Sequence, residues 1–259
     1  FGGKNLRLGK SKYLVLEADD FGAAFLDYSP AISLVTNIDK EHMDFYKSFS
    51  NIKKVFLKFL ARTKNGGGLI LNRDDKTLFS LKSKISKIAE TRDLAIFWYS
   101  IKQRAARKII KIIKIAGEHN LSNALAAYQL GKILKIPEKK ILSAISGYRG
   151  AWRRMEHKGE FKIENLKFKI FDDYAHHPTE IKATLKAFKE KFPREKIICV
   201  FQPHQTERLR ILFKDFVRAF DNADILIILP IYKVPGRESI GYQVSSIKLE
   251  EQLTTAIKK

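Results

Sequence analysis

Apolar positions along the chain fall into two recurring patterns. Short continuous runs bounded by turn residues occur at 13–16 (YLVL), 31–36 (AISLVT), 68–71, 95–99, 197–201 (IICVF) and 225–229 (ILIIL). Each is too short for a helix and reads as a strand buried on both faces. Between them, Ile52, Val55, Phe56, Phe59 and Leu60 recur at the i, i+3, i+4 spacing of a helix, entered from a cap at Ser50 or Asn51. Further helices are predicted over 120–134, from Pro137 into EKKILSAISGY, over 179–192, over 206–220 and, as a basic amphipathic helix, over 245–259. Strand and helix patterns that alternate in this way specify βαβ units, so the fold class is α/β with a parallel sheet. The texture changes at GEFKIENLKFKIFDDY, where apolar and polar residues alternate about Glu164-Asn165 and predict a β-hairpin. A domain boundary near Gly147 follows, giving a first α/β domain over 1–146 and a smaller one over 147–259.

Composition narrows the function classes. Over 259 residues, 49 Lys+Arg against 28 Asp+Glu leave a formal charge of +21, enough to draw in polyanions. The basic residues are nevertheless spread over the whole chain on helix faces (KKVFLKFLAR, LKAFKEKF), and lysine predominates where base readout leans on arginine. That pattern favours solvated faces and small anionic substrates over a nucleic-acid interface. A single Cys suits a reducing compartment, the cytoplasm. No apolar run approaches the roughly 20 residues that span a bilayer, so no membrane partner is expected. The opening FGGKNLRLGKSK reads as the interior of a longer chain.

Chemistry-bearing residues cluster after the strands, at the edge where open α/β sheets place ligands. Glu17, Asp19 and Asp20 follow the first run, and Asp39, His42 and Asp44 follow the second. Oxygen donors with few nitrogens suit Mg²⁺ better than zinc. In GEHNLSN, Asn120 and Asn123 share one helix face, either for a ligand or as simple caps. Arg153-Arg154 stands at the domain joint, either reaching a phosphate or lying as a surface pair. FDDYAHHP and FQPH each close a strand, the latter leading to Arg208 and Arg210. Adjacent side chains such as His176 and His177 diverge, which argues against joint metal ligation. Leu8-Gly9-Lys10-Ser11 is rejected as a phosphate loop: it lacks the earlier glycine and precedes a strand pattern. Gly66-Gly67-Gly68 is a turn, and Cys199 is a small buried hydrophobe.

Taken in order, LEADDFGAAFL, LVTNIDKEHMDFY, GEHNLSNALAA, GYRGAWRRME, DDYAHHPTEI, FQPHQTERLR and IYKVPGRES resemble the Mur ligases of peptidoglycan synthesis, on the branch that joins L-alanine to UDP-N-acetylmuramate. The resemblance implies the partial central ATP-binding domain and a Rossmann-like C-terminal domain, with the nucleotide-sugar domain and the phosphate-binding loop upstream of Phe1, the C-terminal domain cut short, and no turnover from this piece alone. It implies ATP as co-substrate, Mg²⁺ held by Glu17 and His42, and ATP contacts from His119, Asn120, Asn123, Arg154 and Asp173. It also implies acceptor and amino-acid contacts from Tyr174, His176, His204 and Arg208, with Arg154, Asp173, His176 and His204 nearest the chemistry. An imidazole, His176 or His204, would take the proton from the attacking ammonium. Tyr174 in DDYAHHP separates this branch from the related ligase that recycles a ready-made tripeptide. Two departures bear on specificity: Phe21 and Gly22 replace polar residues of the acidic block, and Glu207 puts a negative charge beside Arg208.

Overall fold

A computed structural model describes residues 8–232 and Glu251. After a 3-10 turn over Phe21–Asp27, the first unit runs β1 (Ile32–Val35), α1 (Met43–Tyr46), α2 (Phe49–Ala61), β2 (Gly68–Asn72), α3 (Lys76–Ser80), α4 (Lys82–Arg92), β3 (Ala95–Tyr99), α5 (Arg104–Ile109), α6 (Glu118–Ile133) and α7 (Glu138–Gly147). Its strands form a parallel sheet in the order β1-β2-β3. The central strand β2 is buried at every position, and its alternating side chains feed two cores. Leu69 and Leu71 pack with Ile52, Phe59 and Leu60 of α2 and Ile85 of α4. Ile70 packs on the opposite face with Tyr99, Ile109 of α5, Leu125 of α6 and Ile141 of α7. Burying each aliphatic side chain of β2 contributes about 1.5–3 kcal/mol, and this strand alone among the described ones is buried on both faces as its run predicts. In the 197–201 and 225–229 runs Ile198, Val200, Ile225 and Ile227 are exposed.

The second unit continues with the antiparallel hairpin β4 (Glu156–Ile163) and β5 (Leu166–Asp172), then α8 (Pro178–Lys191), β6 (Ile198–Phe201), α9 (Thr206–Ile211), α10 (Phe213–Val217) and β7 (Ile225–Ile228). Strands β6 and β7 pair in parallel. The hairpin turns at Glu164-Asn165, with Glu164 in the left-handed region at φ 51°. Phe171 anchors it by packing its ring on Phe188 and Phe192 at the end of α8. Ile181 and Leu185 of α8, Phe201 of β6, Leu209 of α9 and Phe216 of α10 make the unit's core.

Four expectations need correction. Residues 13–16 are not a strand: they run irregularly, with Leu14 79% and Val15 81% exposed, because β1 is hydrogen-bonded to β2 alone and provides no ladder on its other side. The helix over 206–220 breaks at Leu212, whose backbone at φ −100°, ψ 19° leaves the helical region and makes α9 and α10 separate pieces. Helix α2 is capped by Ser48, which accepts a bond from the Asn51 N–H, so the cap precedes both residues that had been expected. Cys199 is half-buried rather than fully enclosed, and burial pushes its thiol up to about 11. The helix expected over 245–259 lies outside the described residues except at Glu251.

One glycine sets how α6 meets α8. Gly117 sits at φ 100°, and a Cβ there would stand 2.8 Å from the Ala187 Cβ and 2.6 Å from the His119 ring. Gly117→Ala therefore combines left-handed strain of about 1–2 kcal/mol with a backbone-to-core collision, and its thermal midpoint should fall by several degrees. An unchanged midpoint in a calorimetric scan would show that α6 and α8 are not in close contact at this point.

Candidate functional site

The loop leaving β1 carries the acidic turn Asp39-Lys40-Glu41 and reaches from the first unit into the second. Asp39 Oδ2 accepts from the Thr179 hydroxyl at 2.6 Å, in the first turn of α8, and lies 3.9 Å from His177 Nδ1. Glu41 Oε1 accepts from Arg208 Nε at 3.0 Å and from its Nη2 at 2.6 Å, while Arg208 Nη1 donates to the His204 carbonyl at 3.2 Å. The Arg208 side chain is only 6% exposed. Burial pushes the Glu41 carboxyl up, but the Arg208 guanidinium outweighs it and the net shift is downward. Glu207, the unusual neighbour of Arg208, does not repel from it: its carboxylate is taken by Arg210, at 2.5 and 2.9 Å.

Beside this turn stands His42, in a left-handed conformation with φ 51°. Its Nε2 lies 3.5 Å from Asp20 Oδ1 and its ring meets Phe21 edge-on at 5.0 Å. Burial works against protonation of His42, yet the Asp20 and Glu41 carboxylates raise it overall. Phe21 thus occupies a polar position of the acidic block by packing on the imidazole. Glu17 does not sit at a strand end as expected; it is exposed on the irregular segment, and among the described residues no three metal-binding side chains converge.

A second cluster forms at the joint between the units. Asp173, just past β5, accepts from the Met155 N–H and the Ala175 N–H, both at 2.8 Å, so it fixes the linker against the second unit. Arg153 turns to Asp172 at 3.0 Å and lays its guanidinium 5.0 Å over the Tyr174 ring. Arg154 takes the opposite course: its Nη1 lies 3.3 Å from Glu180, and the side chain is half exposed. His119 comes from the N-terminus of α6 into the field of Asp173 and Arg154, and burial holds its imidazole below the usual range. Asn120 binds the Ala116 carbonyl at 2.6 Å, and Asn123 is exposed; α6 begins at Gly117 with no side-chain cap, so neither asparagine serves as one.

The DDYAHHP block is shaped by its helix. Pro178 occupies the first turn of α8, and Glu180 reaches back to the N–H groups of His176 at 3.1 Å and His177 at 3.4 Å, while the His177 ring accepts from Thr179 N–H at 3.3 Å. His176 and His177 accordingly diverge: His177 is buried, while the His176 ring meets Tyr174 at 5.0 Å and His204 at 6.1 Å. His204 in turn stacks on Tyr232 at 5.2 Å. Tyr174, His176 and His204 therefore form one aromatic row at the carboxyl ends of β5 and β6. Sequence patterns alone single out neither Glu41 nor Glu180. Glu180 had a local signal, a carboxylate three residues after His177 with proline between; Glu41 had none, because its partner is 167 residues away.

Glu180 carries a pH dependence of known sign. Burial pushes its carboxyl up, but the His176 charge and N–H and the Arg154 guanidinium outweigh it and hold it below its ordinary value. A depressed carboxyl contributes stability that is present above its unfolded value, about 4.3, and is lost as pH falls through the lower folded one. Glu180→Gln should be less stable than the wild type at pH 7, with the gap closing below about pH 4. A gap of equal size at pH 7 and pH 3.5 in chemical denaturation would remove this role.

The Mur ligase middle domain matches residues 4–131, and the Mur ligase, glutamate ligase domain matches residues 153–259. The chain is 39% identical over 248 residues to the UDP-N-acetylmuramate–L-alanine ligase of Desulfotalea psychrophila, covering 90% of this chain and 53% of that protein. It is 38% identical to the ligase of the same name from Clostridium kluyveri, covering 97% and 57%. The chain thus spans a little over half the length of these relatives. The solved structure of the UDP-N-acetylmuramate-alanine ligase from Thermotoga maritima shares the fold, with a TM-score of 0.61 at 22% identity over 91% of this chain and 50% of that one. Both units, the joint between them and the motif blocks fall within these matches: the chain belongs to the Mur ligase family.

Proposed function

We propose that this chain forms the ATP-binding and amino-acid-binding parts of an ATP-dependent ligase that adds L-alanine to UDP-N-acetylmuramate in peptidoglycan synthesis, in the cytoplasm. The observation that carries the reading is the near-complete coverage of the chain by relatives of that name at 38–39% identity. In this reading the ATP-binding domain is 1–146 and the C-terminal domain 147–259, and the nucleotide lies in the crevice that His119, Arg154 and Asp173 border.

The chemistry assigned to the site is amide formation through an acyl phosphate. The lactyl carboxylate of UDP-N-acetylmuramate attacks the γ-phosphorus of ATP, ADP leaves, and the amine of L-alanine then displaces phosphate from the acyl carbon. Arg154, half exposed and loosely paired with Glu180, is free to swing its guanidinium onto the transferring phosphoryl group, where charge builds. Asp173, with two backbone N–H bonds already made, keeps lone pairs for a further contact while fixing the linker. His119, held neutral by burial, suits a place beside an uncharged adenine, with Asn120 and Asn123 on the same helix. Tyr174, His176 and His204 line the acceptor side, and His176 or His204 takes the proton released by the ammonium. Arg208 pairs with the amino-acid carboxylate.

Mg²⁺ requires few protein ligands when phosphate oxygens and water complete its shell. In this reading Glu17 and His42 would hold the ion together with phosphate oxygens and water, and the ion would neutralise phosphate charge.

The test is made on the full-length protein with Mg²⁺-ATP and UDP-N-acetylmuramate. With L-alanine, the product should gain the mass of one alanine residue. Gain of a tripeptide instead would assign the chain to recycling, and no product with either would overturn the reading. Arg154→Ala should lower kcat by about 10²–10³-fold, since it removes a charge aimed at the transition state, with a much smaller change in the KM for ATP. Steady-state kinetics at saturating Mg²⁺ separates the two.

A further inference from the structure

Arg208 carries two assignments that compete for the same hydrogens. Its Nε and Nη2 both donate to one Glu41 oxygen, its Nη1 donates to the His204 carbonyl, and the side chain is 6% exposed. A guanidinium has five N–H donors in a fixed fork, and its Nε edge is already filled by a carboxylate from the other unit. Glu41 and Arg208 also line one crevice between the units, together with Lys40, His42, Asp44 and Glu207. That crevice, about 20 Å³, has room for little more than a water, so an amino-acid carboxylate can reach Arg208 only by displacing Glu41.

From this we infer that Glu41 is a positioning residue that stands in for the amino acid's carboxylate on Arg208, so that the incoming amino acid displaces it. The inference rests on Arg208 being the amino-acid anchor in the proposed ligase. Glu41 keeps the buried guanidinium paired while no amino acid is present, which avoids the cost of an uncompensated charge. It also joins α9 to the loop after β1, so the exchange of one carboxylate for another releases one of the two contacts that the acidic turn makes across the joint. The second, Asp39 on Thr179, is untouched by the exchange and keeps the units in register.

The test compares wild type, Glu41→Gln and Glu41→Asp in the full-length protein, with L-alanine as the varied substrate and, in parallel, equilibrium titration of L-alanine by calorimetry. Glutamine keeps one acceptor oxygen for Arg208, as many as Glu41 uses, but removes the competing charge. Its KM and dissociation constant for L-alanine should fall by about five- to tenfold, the scale of one coupled charge pair, with the KM for ATP unchanged. Aspartate restores the charge and should return both constants toward the wild-type values. Loss of the carboxylate charge on buried Arg208 lowers the thermal midpoint under either role, so the L-alanine constants decide: constants unchanged or raised in Glu41→Gln overturn the inference. L-alanine binding to neither protein also overturns it. If a different amino acid is the substrate, the proposed function fails while the ratio of that amino acid's constants still decides the role of Glu41.

Discussion

The arrangement of the two units depends on an acidic turn placed between two positive ends. Asp39 sits at the N-terminus of the 14-residue helix α8, where unsatisfied N–H groups and the helix dipole favour an anion, and Glu41 sits on Arg208. Both carboxylates come from one loop, so a single backbone segment fixes the joint at two points. Their value differs. The Asp39 contact is a partly exposed hydrogen bond worth little on its own, whereas Arg208 is so enclosed that removal of its partner would leave a buried charge unpaired. The joint therefore resists loss of Glu41 unless another carboxylate takes its place.

Arg154, Asp173, His176 and His204, the residues proposed for catalysis, lie around this joint. His42 follows the turn directly, the aromatic row Tyr174, His176 and His204 sits at the strand ends facing it, and the Arg153-Arg154 linker passes between the units. The linker residues divide their duties by sign and burial. Arg153 is engaged by Asp172 and the Tyr174 ring, whereas Arg154 is half exposed and meets Glu180 through a single 3.3 Å contact. Asp173 supports the division, because its bond to the Met155 N–H holds the backbone just past Arg154 in place while that side chain stays half exposed.

How far such a site can be read from sequence depends on whether its signals are local. Strand β2 was legible because burial on both faces makes its apolar run continuous, and the hairpin because apolar and polar residues alternate about its turn, although both its faces stay largely exposed. The YLVL run carries the same signal as β2 and still is not a strand: a strand is a property of a ladder, and pattern alone does not report whether β1 offers its free edge. Glu17 was misplaced for the same reason, since its expected position was inherited from that strand. The motif blocks placed His119, Arg154, Asp173, His176 and His204 around one joint, because each block carries its own turn or helix start.

What local patterns leave out is the choice of partner. Arg208 was legible as an anion-binding residue, but not which anion it holds. Glu41, in a loop of ordinary acidic composition, looks no different from Asp44 until the fold brings it to α9. The same holds for Glu207, which sequence proximity made a competitor of Arg208 and geometry assigns to Arg210. Charge neighbours along the chain are poor guides on a short helix: residues one apart point in different directions, and residues three apart, like Glu207 and Arg210, share a face. The joint thus carries four paired charges, Glu41 with Arg208 and Glu207 with Arg210, and under the proposed function a substrate carboxylate has to fit that pairing rather than a single vacant arginine.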